Sequence, residues 1–158
     1  MLENTQVQDC MTHPAITIMP NMSLRLAQQL MRDCHIRHLP VVKDKQLVGI
    51  LSSGDIRRAM PSDATTLSIW EIRALWDKVT VEEAMTRYIE TVKRETPILE
   101  AVRLMAEHRF NSLPVVDDLG QLVGIVTEVD IFLLLLRVAG NNAHKPAEAA
   151  NKQAAIPS

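Results

Sequence analysis

The chain has 158 residues, of which 47% are hydrophobic and 3% aromatic, and its formal net charge at pH 7 is −2. This length is that of one domain, and so few aromatic residues do not provide the stacking platforms that single-stranded nucleic acids need. The slightly acidic balance gives no electrostatic attraction to DNA or to an anionic membrane.

The N-terminal residues, the cysteines and the longest apolar run predict the cellular location of the protein. Residues 1–4 contain no basic segment that leads into an apolar one, so a secretory signal is not expected. Cys10 and Cys34 are too few for a disulfide framework and are predicted to be reduced thiols. The longest apolar run, residues 131–136, is far shorter than the roughly 20 residues that span a bilayer. We expect a soluble, cytoplasmic protein.

The chain contains an internal repeat. Three blocks recur in the same order: residues 7–12 with 81–86, 39–42 with 113–116, and 49–56 with 124–131. The first two pairs are offset by 74 residues and the third by 75, so the one extra residue lies in a polar turn. An insertion in a turn, with none in the apolar blocks, is typical of two copies of one folding unit.

Copy one is predicted to fold as strand, helix, strand, strand, helix. Residues 16–18 form a short β-rich strand, and Ser23 caps a helix that runs to Cys34. Two strands, residues 38–42 and 47–51, form a hairpin. A last helix follows Ser52 and ends near Met60.

Copy two repeats this order. Thr96 is predicted to cap a helix whose first position is Pro97, with an apolar stripe formed by Ile98, Ala101, Val102 and Met105. Strands are predicted at residues 115–116 and 122–126, with Gly120 in the turn between them.

A connector and a tail complete the chain. Ser68 and Glu71 form a capping-box pattern that begins a short helix, in which Trp70 and Trp76 are expected to be packing anchors. The segment after residue 140 has no apolar period and is expected to be disordered. The predicted division is copy one at 1–60, connector at 61–78, copy two at 79–137 and tail at 138–158.

One polar pattern, Gly-x-x-Ser/Thr-x-x-Asp, occurs where the last strand of each copy meets the last helix. Its members are Gly49, Ser52 and Asp55 in copy one, and Gly124, Thr127 and Asp130 in copy two. The pattern fits a capping box, in which both side chains satisfy backbone N–H groups. It equally fits a ligand site, where a helix N-terminus and a hydroxyl receive a phosphate and the carboxylate accepts from ribose hydroxyls. Both interpretations stay open on the residues alone.

Two further groups of residues could take part in binding. Arg57 and Arg58 follow Asp55 and could contact further phosphates, or they could simply form a solvated helix face. Cys34, His35 and His38, with Cys10 or His13, could suggest a metal site. Their spacing does not imply that they converge, however, and no metal is expected.

The repeated blocks resemble a pair of cystathionine-β-synthase (CBS) motifs forming one Bateman module. The residues that carry this resemblance are 10–12 with 84–86, 39–42 with 113–116, and both Gly-x-x-Ser/Thr-x-x-Asp turns. The connector, residues 62–71, resembles that of stand-alone CBS pairs related to the acetoin-utilisation protein AcuB. The resemblance implies an α+β fold in which two motifs, each roughly β-α-β-β-α, pack sheet to sheet about a pseudo-twofold axis.

The resemblance also implies two clefts for adenine nucleotides (AMP, ADP or ATP). Asp55 and Asp130 would bind ribose hydroxyls, while Ser52 and Thr127 would contact phosphate. The adenine pockets would be lined by Thr17, Ile18, His38, Leu39, Pro40, Thr91, Val92, Ser112, Leu113 and Pro114.

The helix that contains residues 131–136 is apolar around its whole circumference, so a partner chain is expected to cover part of it. We expect a homodimer through the helices that follow Ser52 and Thr127, as the resemblance also implies, although burial within one chain is the alternative. The expected function is a regulatory sensor of adenine nucleotides without enzymatic activity. A structural scaffold without ligand, or the same clefts binding NAD or S-adenosylmethionine, are the alternatives.

Overall fold

The computed structural model describes residues 2–62 and 65–140. It divides into two compact units whose boundaries cross those of the sequence repeat. The copy-one unit comprises residues 16–89 apart from 63 and 64, and the copy-two unit comprises residues 2–15 and 90–140. Within these described residues no helix is long and apolar enough to cross a membrane. The predicted tail lies almost entirely outside them.

The copy-one unit contains a two-stranded antiparallel sheet and four helices. The helices and strands are α1 (Leu24–Cys34), β1 (His38–Lys43), β2 (Gln46–Ser52), α2 (Ser53–Ala59), α3 (Ile69–Lys78) and α4 (Val81–Ala84). Ser23 caps α1 through its side chain, as the sequence predicts. The predicted strand at residues 16–18 is reduced to a single parallel bridge between Ile18 and Val41.

The copy-two unit begins with two 3₁₀ turns, Leu2–Asn4 and Val7–Asp9. Its other elements are α5 (Ile98–His108), β3 (Ser112–Val116), β4 (Leu122–Thr127) and α6 (Glu128–Val138). A bridge between Val92 and Val115 takes the place of a first strand. The α+β class is therefore confirmed.

One predicted cap in the copy-two unit is wrong. The residue at the N-cap of α5 is Pro97, which makes no side-chain capping bond, and the helix begins at Ile98. The hydroxyl of Thr96 accepts a hydrogen bond from the backbone N–H of Lys93 at 2.9 Å instead. Thr96 therefore stabilises the turn before the helix and not the helix itself.

Each unit contains the opening block of the other copy of the repeat: residues 7–12 belong to the copy-two unit and residues 81–86 to the copy-one unit. In the copy-two unit, Val7 donates a backbone hydrogen bond to Thr96 and Ile98 donates one to Thr5. The equivalent bonds in the copy-one unit run from Val81 to Met22 and from Leu24 to Val79. Burial follows the same exchange, since Val7, Cys10 and Met11 belong to the core cluster that contains Ile98, Leu113 and Val126. The residues of copy two alone thus do not complete its core.

The connector helix α3 begins as predicted. Ser68 Oγ accepts from the N–H of Glu71, while Glu71 Oε2 accepts from the N–H of Ser68 at 2.7 Å. Hydrogen bonds from the backbone and the side chain of Ser68 to the carboxylate lower the pKa of Glu71. The prediction that both tryptophans pack is wrong for Trp70, which is 74% exposed and has the Arg73 guanidinium over its ring.

Candidate functional site

The copy-one junction, where β2 runs into α2, forms a complete capping box. Ser52 Oγ accepts from the N–H of Asp55 at 3.1 Å, and Asp55 Oδ2 accepts from the N–H of Ser52 at 2.8 Å. The other carboxylate oxygen, Oδ1, accepts from the guanidinium of Arg58. Asp55 is only 6% exposed, so a buried carboxylate lies at this junction with its charge compensated by an arginine.

The copy-two junction between β4 and α6 repeats the box. Asp130 Oδ2 accepts from both the N–H and the hydroxyl of Thr127, at 2.9 and 3.2 Å. Thr127 Oγ1 in turn accepts from the N–H of Asp130. Asp130 is 5% exposed, and the residue three positions on is Leu133 where copy one has Arg58. The two junctions therefore share a hydrogen-bonding pattern but differ in the side chain three positions after the aspartate.

A second hydroxyl reaches each carboxylate from the borrowed opening block. Thr86 Oγ1 donates to Asp55 Oδ1 at 3.4 Å, and Thr12 Oγ1 donates to Asp130 Oδ1 at 3.2 Å. No role is predicted for these threonines from the sequence alone. The Met-Thr pair that ends the block in both copies could have indicated such a role. A polar side chain beside a buried methionine needs a hydrogen-bond partner, and the same pair occurs in both copies.

The glycine of each pattern allows that block to approach. Thr12 and Ile125 exchange backbone hydrogen bonds at 2.8 and 2.9 Å, next to Gly124. A Cβ at Gly124 would lie 2.9 Å from the carbonyl oxygen of Thr12, and one at Gly49 would lie 2.5 Å from Met85 Sδ. Both contacts are too short for a side chain, so the glycine, the Met-Thr pair and the aspartate form one arrangement in each unit.

The predicted phosphate-binding residues of copy one are close together. A Cβ at Gly54 would lie 3.4 Å from Arg58 Nη1, 3.5 Å from Ser52 Oγ and 3.6 Å from Arg57 Nη2. Two guanidinium groups and a hydroxyl thus surround the first turn of α2. In copy two the positions of the arginines hold Phe132 and Leu133.

Six of the predicted adenine-lining residues lie in β1 or β3, and the other four lie in the segments that bridge to these strands through Ile18 and Val92. In the strand register, His38 is opposite Ser52 and Ser112 is opposite Thr127, so each of these polar residues faces its junction. On the other edge of the same strands, Ile18 donates to the carbonyl of Pro40 and Val92 to that of Pro114, each at 3.1 Å.

These lining residues differ in their exposure. Leu39, Leu113 and both prolines are fully buried. Thr17 is half-buried and Thr91 is exposed.

The histidines and cysteines that the structure describes do not form a metal-binding cluster. Across residues 2–62 and 65–140, no three His, Cys, Asp or Glu side chains are grouped so that they could hold a metal ion. His35 ends α1 in a left-handed conformation and His38 lies in β1. Both cysteines are free thiols, and the pKa of Cys34 is raised by burial and, to a lesser extent, by the charge of Asp33.

With this geometry in place, comparison with known proteins identifies the class. The CBS domain family matches residues 7–62 and 81–137, and the chain belongs to that family as a pair of CBS motifs. Among curated relatives, L-aspartate semialdehyde sulfurtransferase of Methanocaldococcus jannaschii is 34% identical over 128 residues. That match covers 80% of this chain and 22% of the relative. The chain thus spans about a fifth to a quarter of the length of the first enzymes it matches.

Several solved structures of CBS pairs are similar to this chain over most of its length. The CBS domain pair of protein MJ0100, in complex with 5′-methylthioadenosine and S-adenosyl-L-methionine, has 34% identity and a TM-score of 0.69, covering 83% of this chain and 95% of that one. Arabidopsis thaliana CBSX2 in complex with AMP has 29% identity and a TM-score of 0.71, covering 84% and 97%. AcuB of Vibrio cholerae, named for acetoin utilization, has 28% identity and a TM-score of 0.72, covering 86% and 93%. The chain is therefore a CBS pair similar to AcuB and to pairs that hold adenosine-containing ligands.

Proposed function

We propose that this protein is a cytoplasmic regulatory module that binds adenine nucleotides and passes their level to a partner through a change of conformation. AMP, ADP and ATP are the proposed ligands. Asp55 and Asp130 bind the ribose hydroxyls, and Ser52 and Thr127 contact phosphate. The proposed role is regulatory and not catalytic.

The observation that carries this proposal is the repetition of one buried carboxylate and one hydroxyl at both strand–helix junctions. Buried charges are costly and are found where they are paired or functional. Similar CBS pairs are solved with AMP and with S-adenosyl-L-methionine, which both contain adenosine and hence a ribose diol.

Ribose can reach the carboxylates without dismantling the caps. Oδ2 of each aspartate accepts from a backbone N–H of the cap, whereas Oδ1 accepts from the threonine hydroxyl of the opening block. A ribose hydroxyl that replaces this threonine hydroxyl conserves the number of hydrogen bonds to the carboxylate. Such an exchange costs little, because one hydroxyl donor substitutes for another.

The two sites are expected to prefer different ligands. Arg57 and Arg58 beside Ser52 can neutralise two or more phosphate charges, which favours ADP or ATP in the copy-one unit. Thr127 is followed by Phe132 and Leu133 instead, which favours AMP or an adenosyl ligand with little negative charge in the copy-two unit.

The output surface is proposed to be a homodimer interface on α6. This helix buries Ile131 and Leu134 but leaves Phe132 57% exposed. Its other exposed apolar side chains are Val129, Leu135, Leu136 and Val138. A contiguous apolar face of this kind is typical of protein contacts. By contrast, α2 exposes Arg57, Arg58 and Ala59, so α6 is the better candidate of the two helices named from sequence.

A ligand-free scaffold is the second candidate, and the capping boxes favour it. Every hydrogen bond that the two aspartates make with Ser52 and Thr127 is one that a purely structural cap requires. Under this alternative the carboxylates contribute stability alone.

Calorimetric titration of AMP, ADP, ATP, NAD and S-adenosylmethionine tests the proposal. Asp55→Asn and Asp130→Asn are the informative variants, since the amide oxygen can still accept the capping N–H. We expect each variant to weaken binding at its own site at least about tenfold, the value of one charge-assisted hydrogen bond. Asp77→Asn, an exposed carboxylate paired with Arg25, is the matched control. If the wild-type protein binds none of the five ligands, the scaffold is correct.

A further inference from the structure

An open groove of about 640 Å³ lies on the helical side of the copy-one unit. It is bounded by α1, by α2 and by the connector helix α3, which packs against α1. Its apolar wall consists of Met31, Ile36, Ile56, Met60 and Trp76. A volume of this size and a mostly apolar wall are typical of small-molecule sites.

The groove also carries positive charge. Arg32 and Arg57 line it, and none of the described residues that line it is acidic. The ion pairs within the described chain involve Arg25, Arg58, Arg87 and Lys93 but neither Arg32 nor Arg57. Among the described residues that line the groove, two guanidinium groups thus border an apolar surface and no carboxylate does.

The internal repeat shows that the two arginines of the groove occur in copy one and not at the equivalent positions of copy two. With the same offsets of 74 and 75 residues, Arg32 corresponds to Ala106 and Arg57 corresponds to Phe132. Met60 corresponds to Leu135, and residues 2–15 and 90–140 of the copy-two unit contain no counterpart of the connector helix. The equivalent face of copy two is therefore apolar and suits a protein contact, whereas copy one combines apolar walls with cations.

We propose that this groove is a second ligand site, which binds a small amphipathic anion. The carboxylate or phosphate head group is held by Arg32 and Arg57, because guanidinium groups match the geometry of these anions. The hydrocarbon part lies against Met31, Ile56 and Trp76. A hydrocarbon chain binds to these walls better than a fully hydrated anion does, because only the hydrocarbon chain has a favourable free energy of transfer out of water.

This site goes beyond the proposed nucleotide function and does not depend on it. Arg57 is shared, because its Nη2 atom also lies near the first turn of α2. Arg32 lies in the last turn of α1 and belongs to the groove alone. Substitution of Arg32 therefore tests the groove without altering the proposed nucleotide site.

Tryptophan fluorescence provides a direct readout. The chain has two tryptophans, so Trp70→Phe leaves Trp76 in the groove as the sole reporter. The probes are octanoate and octyl phosphate, which distinguish the two head groups, and octan-1-ol as the uncharged analogue. Each is titrated into the Trp70→Phe protein and into Trp70→Phe carrying Arg32→Gln. Arg103→Gln, an exposed arginine on α5 outside the groove, is the matched control.

We expect at least one anionic probe to change Trp76 emission saturably. Octanol should bind at least about tenfold more weakly, and Arg32→Gln should weaken the anion at least about tenfold while Arg103→Gln leaves it unchanged. Equal binding of octanol and the anions, or equal behaviour of Arg32→Gln and Arg103→Gln, overturns the proposal. Emission that depends on protein concentration and not on the probes would show that a second copy covers the groove, which also overturns it. Loss of ATP binding through Asp55→Asn with octanoate binding intact would separate this site from the nucleotide site.

Discussion

Thr12 donates a hydrogen bond to Asp130, which lies 118 residues further along the chain, over 3.2 Å between Oγ1 and Oδ1. Thr86 donates to Asp55 in the same way across 31 residues. Each bond links the opening block of one copy to the helix cap of the other. The proposed ribose-binding carboxylates are therefore also the points at which the two copies of the repeat are interlocked within each unit.

Thr12→Val is expected to destabilise the protein by about 1.5–3 kcal/mol, the cost of removing a hydrogen bond to a charged group. The substitution keeps the side-chain shape but leaves a buried carboxylate oxygen with one donor fewer. Thr86→Val should cost less, because its bond is longer and Asp55 Oδ1 retains Arg58. Urea denaturation, analysed with one m-value for all variants, measures the change in the free energy of unfolding for both substitutions.

Thr66→Val is the control for these variants, since Thr66 is exposed and makes no hydrogen bond described for the structure. It should change stability by less than about 0.5 kcal/mol. Should Thr12→Val behave like Thr66→Val, the interlock does not stabilise the fold.

Gly124→Ala is expected to cost about 1–3 kcal/mol through overpacking. The new methyl group would lie 2.9 Å from the backbone carbonyl of Thr12, which cannot move without breaking its bond to Ile125. Gly49→Ala should cost less, because its nearest neighbour is the flexible side chain of Met85. Thermal denaturation followed by circular dichroism compares the two.

Gly54→Ala is the matched control for that comparison. Gly54 is in α2, and a Cβ there meets nothing closer than 3.4 Å. Alanine is about 0.5–1 kcal/mol better than glycine inside a helix, so this variant should be more stable than the wild type. A destabilising Gly54→Ala with a neutral Gly124→Ala would contradict the close approach of the opening block.

Cys34 is expected to be alkylated slowly at neutral pH. Burial and the nearby charge of Asp33 raise its pKa, so the unreactive thiol persists to higher pH than in a free cysteine. Asp33→Asn removes the like charge and should increase the rate of reaction with iodoacetamide at pH 8. Mass spectrometry that resolves Cys34 from the buried Cys10 measures the rate, and an unchanged rate in Asp33→Asn would rule out this electrostatic effect.

Much of the local structure was predictable because its signals are local. The caps at Ser23, Ser52, Ser68 and Thr127 follow from a hydroxyl placed before a helical period, and the structure confirms each of them. The predicted cap at Thr96 is wrong because one hydroxyl can either cap a helix or stabilise the turn before it. Its side chain stabilises the preceding turn, and Pro97 takes the N-cap position.

The exchange of opening blocks was not predictable in this way. Residues 7–12 and 81–86 were recognised as a repeat, but a repeat does not state which copy each block completes. The pairing is decided by contacts such as Gly124 with Thr12, over a sequence separation that no local pattern encodes. The roles of Thr12 and Thr86, and the groove beside the connector helix α3, depend on that long-range packing. For the same reason the exposure of Trp70 could not be deduced from its place in a helical period.

Phe132→Lys is expected to convert the proposed dimer to a monomer. Phe132 lies in the exposed apolar face of α6, and a lysine there would place a charge in the middle of a desolvated contact. The copy-one equivalent, Arg57, already has such a charge, which is why α6 and not α2 is the proposed interface. Leu119→Lys is the matched control, because Leu119 is equally apolar and exposed but lies in the turn between β3 and β4. Sedimentation equilibrium should show a dimer for the wild type and Leu119→Lys, and a dissociation constant at least about a hundredfold higher for Phe132→Lys. A dimer that survives Phe132→Lys unchanged would move the interface away from α6 and leave its apolar face for a different protein.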